Sequence, residues 1–238
     1  MKKYIVFFIF LSCLIFNGYS QLPKNAFKVN LSGLVIRNIS IQYERQVSPK
    51  TSLALAFRDV PYGKLPFEQT IADNANDPFV QFDKINVGSF GFTPEFRFYL
   101  GKKSGMRGFY LGPFVSYNNY KTDLPINYNN KTGIFNGNLK TITGGLQIGS
   151  QFRLSNHFFI DWWIIGPNYG GASGNLNFTG TLDPNEQSIL KTELDKLQAD
   201  APFHFIQSSS VNSSGAVIIA KGPWGGLRGL GINLSYHF

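Results

Sequence analysis

Apolar and polar residues alternate with a period of two along much of the chain, as in a β-strand with one apolar and one polar face. The pattern is clearest near the C-terminus, where every second residue from Leu230 to Phe238 is apolar or aromatic. Seven other segments show it in clear or weaker form: 27–33, 39–44, 52–58, 89–100, 109–120, 141–154 and 158–164. The pattern predicts an all-β chain of eight strands.

The connections between the predicted strands alternate in length. Residues 48–50, 101–108 and 155–156 are short and rich in turn-forming residues. In the other set, 61–84, 122–138 and 167–223 are long and only 34–38 is short. Short turns at one end and long loops at the other are typical of an antiparallel up-and-down transmembrane β-barrel.

The last long loop contains the one helix that the sequence predicts, from Asp183 to Ala199. Asp183 and Glu186 have the spacing of a capping box around Pro184. An apolar stripe follows, formed by Ile189, Leu190, Leu194 and Leu197. We expect the helix to dock on the barrel mouth, and a partner-binding helix is the alternative.

The first twenty residues predict an export signal. Two lysines precede an apolar run that is shorter than the ~20 residues of a membrane-spanning helix, and small residues suit cleavage after Ser20. A membrane anchor and lipoprotein processing at Cys13 are the alternatives. We expect residues 1–20 to be a cleaved signal peptide and residues 21–238 to form a single outer-membrane β-barrel domain.

Composition narrows the classes of protein. Removal of residues 1–20 takes away two lysines and lowers the net charge from +8 to +6, and no cysteine remains. With 16% aromatic and 15% charged residues, the chain is unlike a disordered protein, a coiled coil or a disulfide scaffold. An exported chain without disulfides depends on burial and backbone pairing for its stability.

The polar face of the predicted strands indicates which side is the interior. It carries mainly Gly, Ser, Thr, Gln and Asn, whereas a face in water should carry scattered lysines and glutamates. The few ionisable groups on it nearly balance: Lys28, Glu44, Arg58, Glu95, Arg97, Arg153 and Asp161. We expect a sealed, salt-bridged polar interior with the apolar faces in lipid. A soluble barrel with an apolar core is the alternative.

Aromatic residues near the strand ends agree with this interpretation, because such residues lie at membrane interfaces. They are Tyr43, Tyr99, Trp162, Trp163, Tyr169, Trp224 and Tyr236. A final strand that ends on Phe238 is also the type of signal through which outer-membrane barrels are assembled.

Four segments together resemble a small outer-membrane β-barrel family of unknown function: 92–103 (FTPEFRFYLGKK), 108–114 (GFYLGPF), 161–167 (DWWIIGP) and 221–224 (KGPW). The resemblance covers nearly the whole chain after residue 20 and implies an OmpA/OmpX-like transmembrane barrel in the outer membrane. It supplies no activity and no site residues. We expect the extra periplasmic domain of full OmpA-type proteins to be absent, which puts peptidoglycan attachment in doubt.

Candidate chemistry is sparse. His157 and His237 fall at the predicted short-turn end, and only His204, with Asp200 and serines 208–210, suggests a Ser/His/Asp set. No spacing fixes that geometry, and no metal or phosphate motif is present. We therefore expect no enzymatic activity, no catalytic, cofactor-binding or metal-binding residues, and no cofactor.

The sequence favours a non-catalytic, monomeric integral protein of a Gram-negative outer membrane, with a structural or partner-interaction role. The expected partners are outer-membrane lipid, the barrel-assembly machinery through the strand ending at Phe238, and a protein bound by the long loops. Nucleic acid is not expected, because the positive charges are dispersed apart from Lys102, Lys103 and Arg107. The alternatives are an accessory subunit of a larger outer-membrane complex, a narrow pore and, less favoured, a lipid-modifying enzyme.

Overall fold

The computed structural model describes residues 23–75, 81–102, 104–200 and 206–238, so the predicted signal peptide lies outside the described residues. Nine strands lie in this part of the chain: β1 Asn25–Asn30, β2 Ile39–Ser48, β3 Thr51–Lys64, β4 Asn86–Tyr99, β5 Gly108–Tyr128, β6 Lys131–Arg153, β7 Phe158–Thr179, β8 Ile206–Asn212 and β9 Gly215–His237. Three α-helices accompany them: α1 Leu31–Leu34, α2 Glu68–Ala75 and α3 Pro184–Asp200. A 3-10 turn spans Phe82–Lys84. None of the described helices has the length and apolar character to cross a membrane.

Eight of the strands form a closed antiparallel ring in the order β1 to β7 and then β9. Closure comes from the pairing of β1 with β9, where the backbone N–H of Phe238 donates to the carbonyl of Asn25 at 2.9 Å. The ninth strand, β8, pairs only with β9. The all-β prediction and the eight-stranded ring are confirmed, and β8 is an addition that the sequence did not predict.

The alternation of side chains gives the ring a polar interior and an apolar exterior. On β2, Ser40, Gln42 and Glu44 are buried whereas Ile39 and Ile41 are exposed. The fully buried side chains include several long polar or charged ones: Lys28, Gln42, Glu44, Arg97, Gln147, Gln151 and Asp161. The predicted division of the two faces is therefore confirmed, and the described residues do not form an apolar-filled ring.

Glycine makes room for these long inward side chains. A Cβ atom on Gly149 would overlap the ring and hydroxyl of Tyr110, and one on Gly112 would overlap the carboxylate of Glu95. Both neighbours are buried. The glycine excess of the sequence therefore has a packing role on the inner face.

At one end the sheet extends well beyond the predicted strands. We call residues 121–138 of β5 and β6, residues 168–179 of β7, and residues 206–220 of β8 and β9 the sheet extension. The predicted loop 122–138 is a β-hairpin whose two-residue turn, Asn129 and Asn130, has positive φ values of 43° and 61°. Such a turn matches the twist of paired strands. The long-loop prediction is wrong here because polar residues on both faces hide the period of two.

The predicted helix in the last loop is confirmed as α3, and it docks on the sheet extension. The N–H of Asp183 donates to Glu186 Oε2 at 2.8 Å, and the N–H of Glu186 donates to Asp183 Oδ1 at 2.9 Å, so the capping box forms. Leu194 is buried against Phe178, Leu182, Ala216 and Ile218. Ile189 of the predicted stripe stays exposed.

The first predicted strand ends three residues early. Asn30 accepts a hydrogen bond from the N–H of Gly33 at 2.6 Å through its Oδ1 atom, and so caps the single turn of α1. The described residues of the predicted loop 61–84 contain regular structure, because β3 continues to Lys64, α2 follows and a 3-10 turn spans Phe82–Lys84.

Candidate functional site: a charged cluster and the cavity above it

Six ionisable side chains from five strands meet inside the ring, and we call them the charged cluster. They are Lys28 on β1, Glu44 on β2, Glu95 and Arg97 on β4, Asp161 on β7 and Arg228 on β9. Five of the six side chains are completely buried, and Arg228 is 16% exposed. They converge because each occupies an inward position of its strand.

Arg97 lies at the centre of the charged cluster. Its Nε donates to Glu95 at 2.7 Å, while its Nη1 lies 3.0 Å from Glu44 and 2.8 Å from Asp161. Its guanidinium carbon also lies 4.3 Å from the ring centroid of Tyr110. One arginine therefore joins three carboxylates from three strands.

Lys28 and Arg228 supply the remaining positive charges. Lys28 Nζ is 2.6 Å from Asp161 Oδ2 and also contacts Glu44. Arg228 Nη1 donates to Glu95 Oε2 at 2.7 Å. Three cations thus face three carboxylates, so the cluster is electrically neutral as a whole.

A cavity of about 470 Å³ lies next to the cluster, on the side of the sheet extension, with Arg228 in its wall. Arg58 of β3 also lines it, and its Nη2 donates to Asn118 Oδ1 at 2.8 Å and to the hydroxyl of Tyr120 at 3.2 Å. Trp163 of β7 is buried in the same wall, and the centroid of its ring lies 4.0 Å from the guanidinium carbon of Arg228. The interior of the ring is therefore closed on one side of Arg228 and open on the other.

Comparison with known families gives one match. The family model described as "Protein of unknown function (DUF3575)" matches residues 5–170. The chain belongs to this family. No curated protein and no solved structure matches it.

The DUF3575 match runs from the undescribed N-terminal residues through β1 to β6 and into β7. It includes five members of the charged cluster: Lys28, Glu44, Glu95, Arg97 and Asp161. It ends before Arg228, which β9 contributes. The family description assigns no activity to this site.

Two arginines of this DUF3575 chain lie elsewhere than the sequence predicted. Arg58 is on the inner face but belongs to the cavity wall, where its partners are neutral. Arg153 is exposed at the turn between β6 and β7, where its Nε donates to the carbonyl of Ser155 at 2.9 Å. It lies at the end of its strand, where the guanidinium can reach out to the turn.

Arg228 is the cluster residue that sequence reasoning missed. The chain alternates poorly around it, since Leu227 and Leu230 are both exposed and Leu230 has a positive φ of 54°. This irregularity shifts the inward and outward positions of β9. The available signal was a single arginine in a glycine-rich stretch of the final strand, with Gly226 two residues before it and Gly229 directly after it.

Two of the predicted interfacial aromatics are interior residues instead. Tyr99 and Trp163 are only 3% and 6% exposed, and the hydroxyl of Tyr99 donates to Glu44. By contrast, Trp162, Tyr169 and Tyr236 are exposed on the outer face. The buried pair supplies hydrogen-bond donors to the polar interior.

The histidines considered as candidate chemistry fall in two places, the short-turn end of the ring and a segment outside the described residues. His157 Nδ1 lies 2.9 Å from the carbonyl oxygen of His237, so these two share the short-turn end. His204 lies outside the described residues. Within the described ranges, no three His, Cys, Asp or Glu side chains are grouped as metal ligands.

Proposed function

We propose that this DUF3575 chain is an integral β-barrel protein of a Gram-negative outer membrane, with a structural or partner-interaction role and no catalytic one. The observation that carries the proposal is the reversed distribution of polarity across the ring. Charged side chains are fully buried inside, while large apolar side chains are exposed outside.

The exposed apolar residues surround the ring. All eight ring strands contribute to this outer face: Phe27, Ile41, Leu53, Phe57, Phe92, Phe98, Phe109, Val115, Leu146, Ile148, Phe152, Phe158, Trp162, Ile165, Ile232, Leu234 and Tyr236. A soluble monomer rarely exposes a continuous apolar patch larger than about 300–600 Å². An outer face that is apolar on every strand matches a lipid environment.

The hydrogen bonding of the ring also suits lipid. A membrane offers no partners for free backbone N–H and C=O groups, and the ring meets this requirement where β1 pairs with residues 233–237 of β9 to close the sheet. Strands of about 9–11 residues cross the apolar layer, and β2 with its 10 residues is of that length. The strands of 21 to 23 residues, β5, β6, β7 and β9, are long enough to carry the sheet extension beyond the membrane.

The charged cluster favours a closed interior over a pore. An eight-stranded ring is just wide enough for its own side chains, and Arg97 bridges carboxylates from β2, β4 and β7 across it. A narrow pore is the alternative. Conductance of the purified, folded protein in planar bilayers would favour that alternative, and electrical silence supports the closed interior.

The proposed partner surface is the sheet extension with α3. The capping box and the buried Leu194 hold α3 in a fixed position on the sheet extension, so this end of the protein presents a surface of defined shape. The second candidate function is an accessory subunit of a larger outer-membrane complex. Mild detergent extraction separates the two, since an independent monomer is recovered alone and a subunit is recovered with its complex.

Heat-modifiability tests the membrane proposal. Folded protein from the outer-membrane fraction should migrate differently on gels before and after boiling, because the closed ring resists detergent until it is heated. We also propose that assembly uses the final strand ending at Phe238, so truncation of that strand should remove the shifted band. A soluble periplasmic pool whose band does not move on boiling would refute the proposal.

A further inference from the structure

The cavity beside the charged cluster has hydrogen-bond donors that no described residue satisfies. They are Arg58 Nε, Arg228 Nη2 and Trp163 Nε1, all of them buried atoms, and they outnumber the single unsatisfied acceptor of the same lining, Asn38 Oδ1. Their residues all line the same cavity. A buried donor without an acceptor is costly, so three of them around one space indicate a ligand that brings acceptor oxygens.

The charge of the cavity indicates that these oxygens are anionic. Among the described residues Arg58 forms no ion pair, and its partners are the neutral side chains of Asn118 and Tyr120. Arg228 is already neutralised by Glu95. The lining of the cavity therefore has an excess of one positive charge, on a guanidinium that suits carboxylate or phosphate oxygens.

The cavity also lies beside a break in the pairing of the ring. Strand β1 pairs with β9 only at Asn233–His237, and β8 pairs with β9 only at Gly215–Ala220. Among the described residues, no strand pairs with residues 221–232 of β9 on that side. We call this unpaired edge, together with α1, the seam. It is bridged at one point, where Ser32 Oγ accepts from the N–H of Ile232 at 3.1 Å.

Apolar residues line the seam from the outer face to the cavity. Leu227 and Leu230 of β9, and Ile36 just after α1, are more than half exposed and also border the cavity. Leu230 lies between Gly229 and Gly231 and has a left-handed backbone. An apolar chain can therefore lie across this edge while a polar head reaches Arg58.

We propose that the cavity binds the anionic head, carboxylate or phosphate, of an amphiphile that enters from lipid through the seam. The inference rests on the proposed membrane location of the ring, because only then does the seam face lipid. Arg58, Arg228 and Trp163 hold the head, and the apolar residues of the seam hold the chain.

Native mass spectrometry of the protein folded in dodecyl maltoside tests this site, with palmitate as the probe and acetate as the chainless anion. The detergent itself serves as an uncharged amphiphile. Wild-type protein should bind one palmitate. Arg58→Gln should raise the Kd for palmitate about tenfold to a hundredfold, because a hydrogen bond to a charged group typically contributes that much to binding. The matched control is Arg45→Gln, an exposed arginine at the short-turn end of β2, which should bind as wild type does.

Trp163→Phe provides a second variant that keeps an aromatic ring under Arg228 and removes the indole N–H together with its five-membered ring. It should also weaken palmitate binding. Equal palmitate binding by wild type and both cavity variants would overturn the proposal. Acetate that competes as well as palmitate at equal concentration would overturn entry from lipid, because a free anion would then suffice.

Failure of this site is distinguishable from failure of the membrane proposal. Protein that is heat-modifiable and needs detergent, yet binds no palmitate, overturns the cavity site alone. Protein that stays soluble without detergent overturns both.

Discussion

Asp161 gives the sharpest test of the charged cluster. Its carboxylate lies 2.6 Å from Lys28 and 2.8 Å from Arg97, and it accepts a hydrogen bond from the hydroxyl of Tyr110 at 2.9 Å. All of these contacts are buried. Asp161→Asn keeps the shape of the side chain and leaves the cluster with an excess positive charge.

Asp161→Asn should lower the free energy of unfolding substantially, because the unbalanced positive charge stays buried in the ring. Removal of one partner from a buried ion pair typically costs about 3–5 kcal/mol. This loss corresponds to a rise in the unfolding equilibrium constant of about two to three and a half powers of ten at ~1.4 kcal/mol per tenfold change. An exposed ion pair contributes only about 0–1 kcal/mol, so the two situations are well separated.

The measurement is urea-induced unfolding of the folded protein in detergent, followed by tryptophan fluorescence and by the heat-modifiable band. Asp195→Asn is the matched control, because Asp195 pairs with Lys191 on exposed α3 with 52% of its side chain accessible. The control should unfold with the midpoint of the wild type. A loss below about 1 kcal/mol for Asp161→Asn would show that water reaches the cluster, and would refute the sealed interior.

Three more predictions concern packing, lipid contact and pH. Gly149→Ala should destabilise the ring by about 1–3 kcal/mol through overpacking against a buried tyrosine, measured by the urea midpoint. An arginine on a lipid-facing position costs about 2–4 kcal/mol at the membrane midplane and about 0–1 kcal/mol near the membrane edges. In urea unfolding from liposomes, Ile148→Arg on the outer face of the ring should therefore destabilise the protein more than Ile219→Arg in the sheet extension. Glu186 has a pKa of about 2 instead of 4.5, mainly because Lys131 donates a hydrogen bond to its carboxylate. Its support of α3 is therefore complete above pH 4.5 and is lost as the pH falls through 2, so hydrogen exchange in α3, corrected for intrinsic rates, should be faster at pH 2 than at pH 6.

Each of these predictions has an outcome that contradicts it. An unchanged midpoint for Gly149→Ala would mean that the interior is loosely packed. Equal effects of the two arginine substitutions would mean that Ile148 and Ile219 share one environment. A Glu186→Gln variant that keeps the full pH dependence of exchange in α3 would assign that dependence to another group.

The strands and their faces could be predicted because one physical rule governs them. Each clear strand alternates in polarity, and strict alternation assigns every residue to one side of the sheet. The capping-box spacing placed α3 within one residue of its observed ends. These signals are local, so they need no knowledge of the folded chain.

The sheet extension escaped prediction because neither of its faces is consistently apolar. In residues 131–138 the two apolar side chains, Ile134 and Phe135, are adjacent and so lie on opposite faces among polar residues and glycine, and the two-asparagine turn resembles an ordinary loop. Pairing of neighbouring strands, rather than alternation, determines the structure there. The same is true of β8, whose run of serines has no strand signal of its own.

The sequence predicted that ion pairs fill the interior of the ring, but it identified only some of the residues that form the charged cluster. The alternation of polar and apolar residues assigned five of its members to the inner face: Lys28, Glu44, Glu95, Arg97 and Asp161. It could not separate them from Arg58, which is also inward but lies at a different height in the ring. The cavity was beyond prediction, because it depends on where β1 ends and α1 turns against β9.

Spin labels on the outer face test the central claim most directly, because they report whether that face contacts lipid. Single cysteines at Leu146, Ile148 and Phe152, with Ile219 as the comparison, can be introduced after Cys13→Ser, since the chain has no other cysteine. In liposomes, labels at the three ring positions should be accessible to oxygen and protected from a water-soluble nickel reagent, while the label at Ile219 should show the reverse. Nickel access at all four positions would contradict the account.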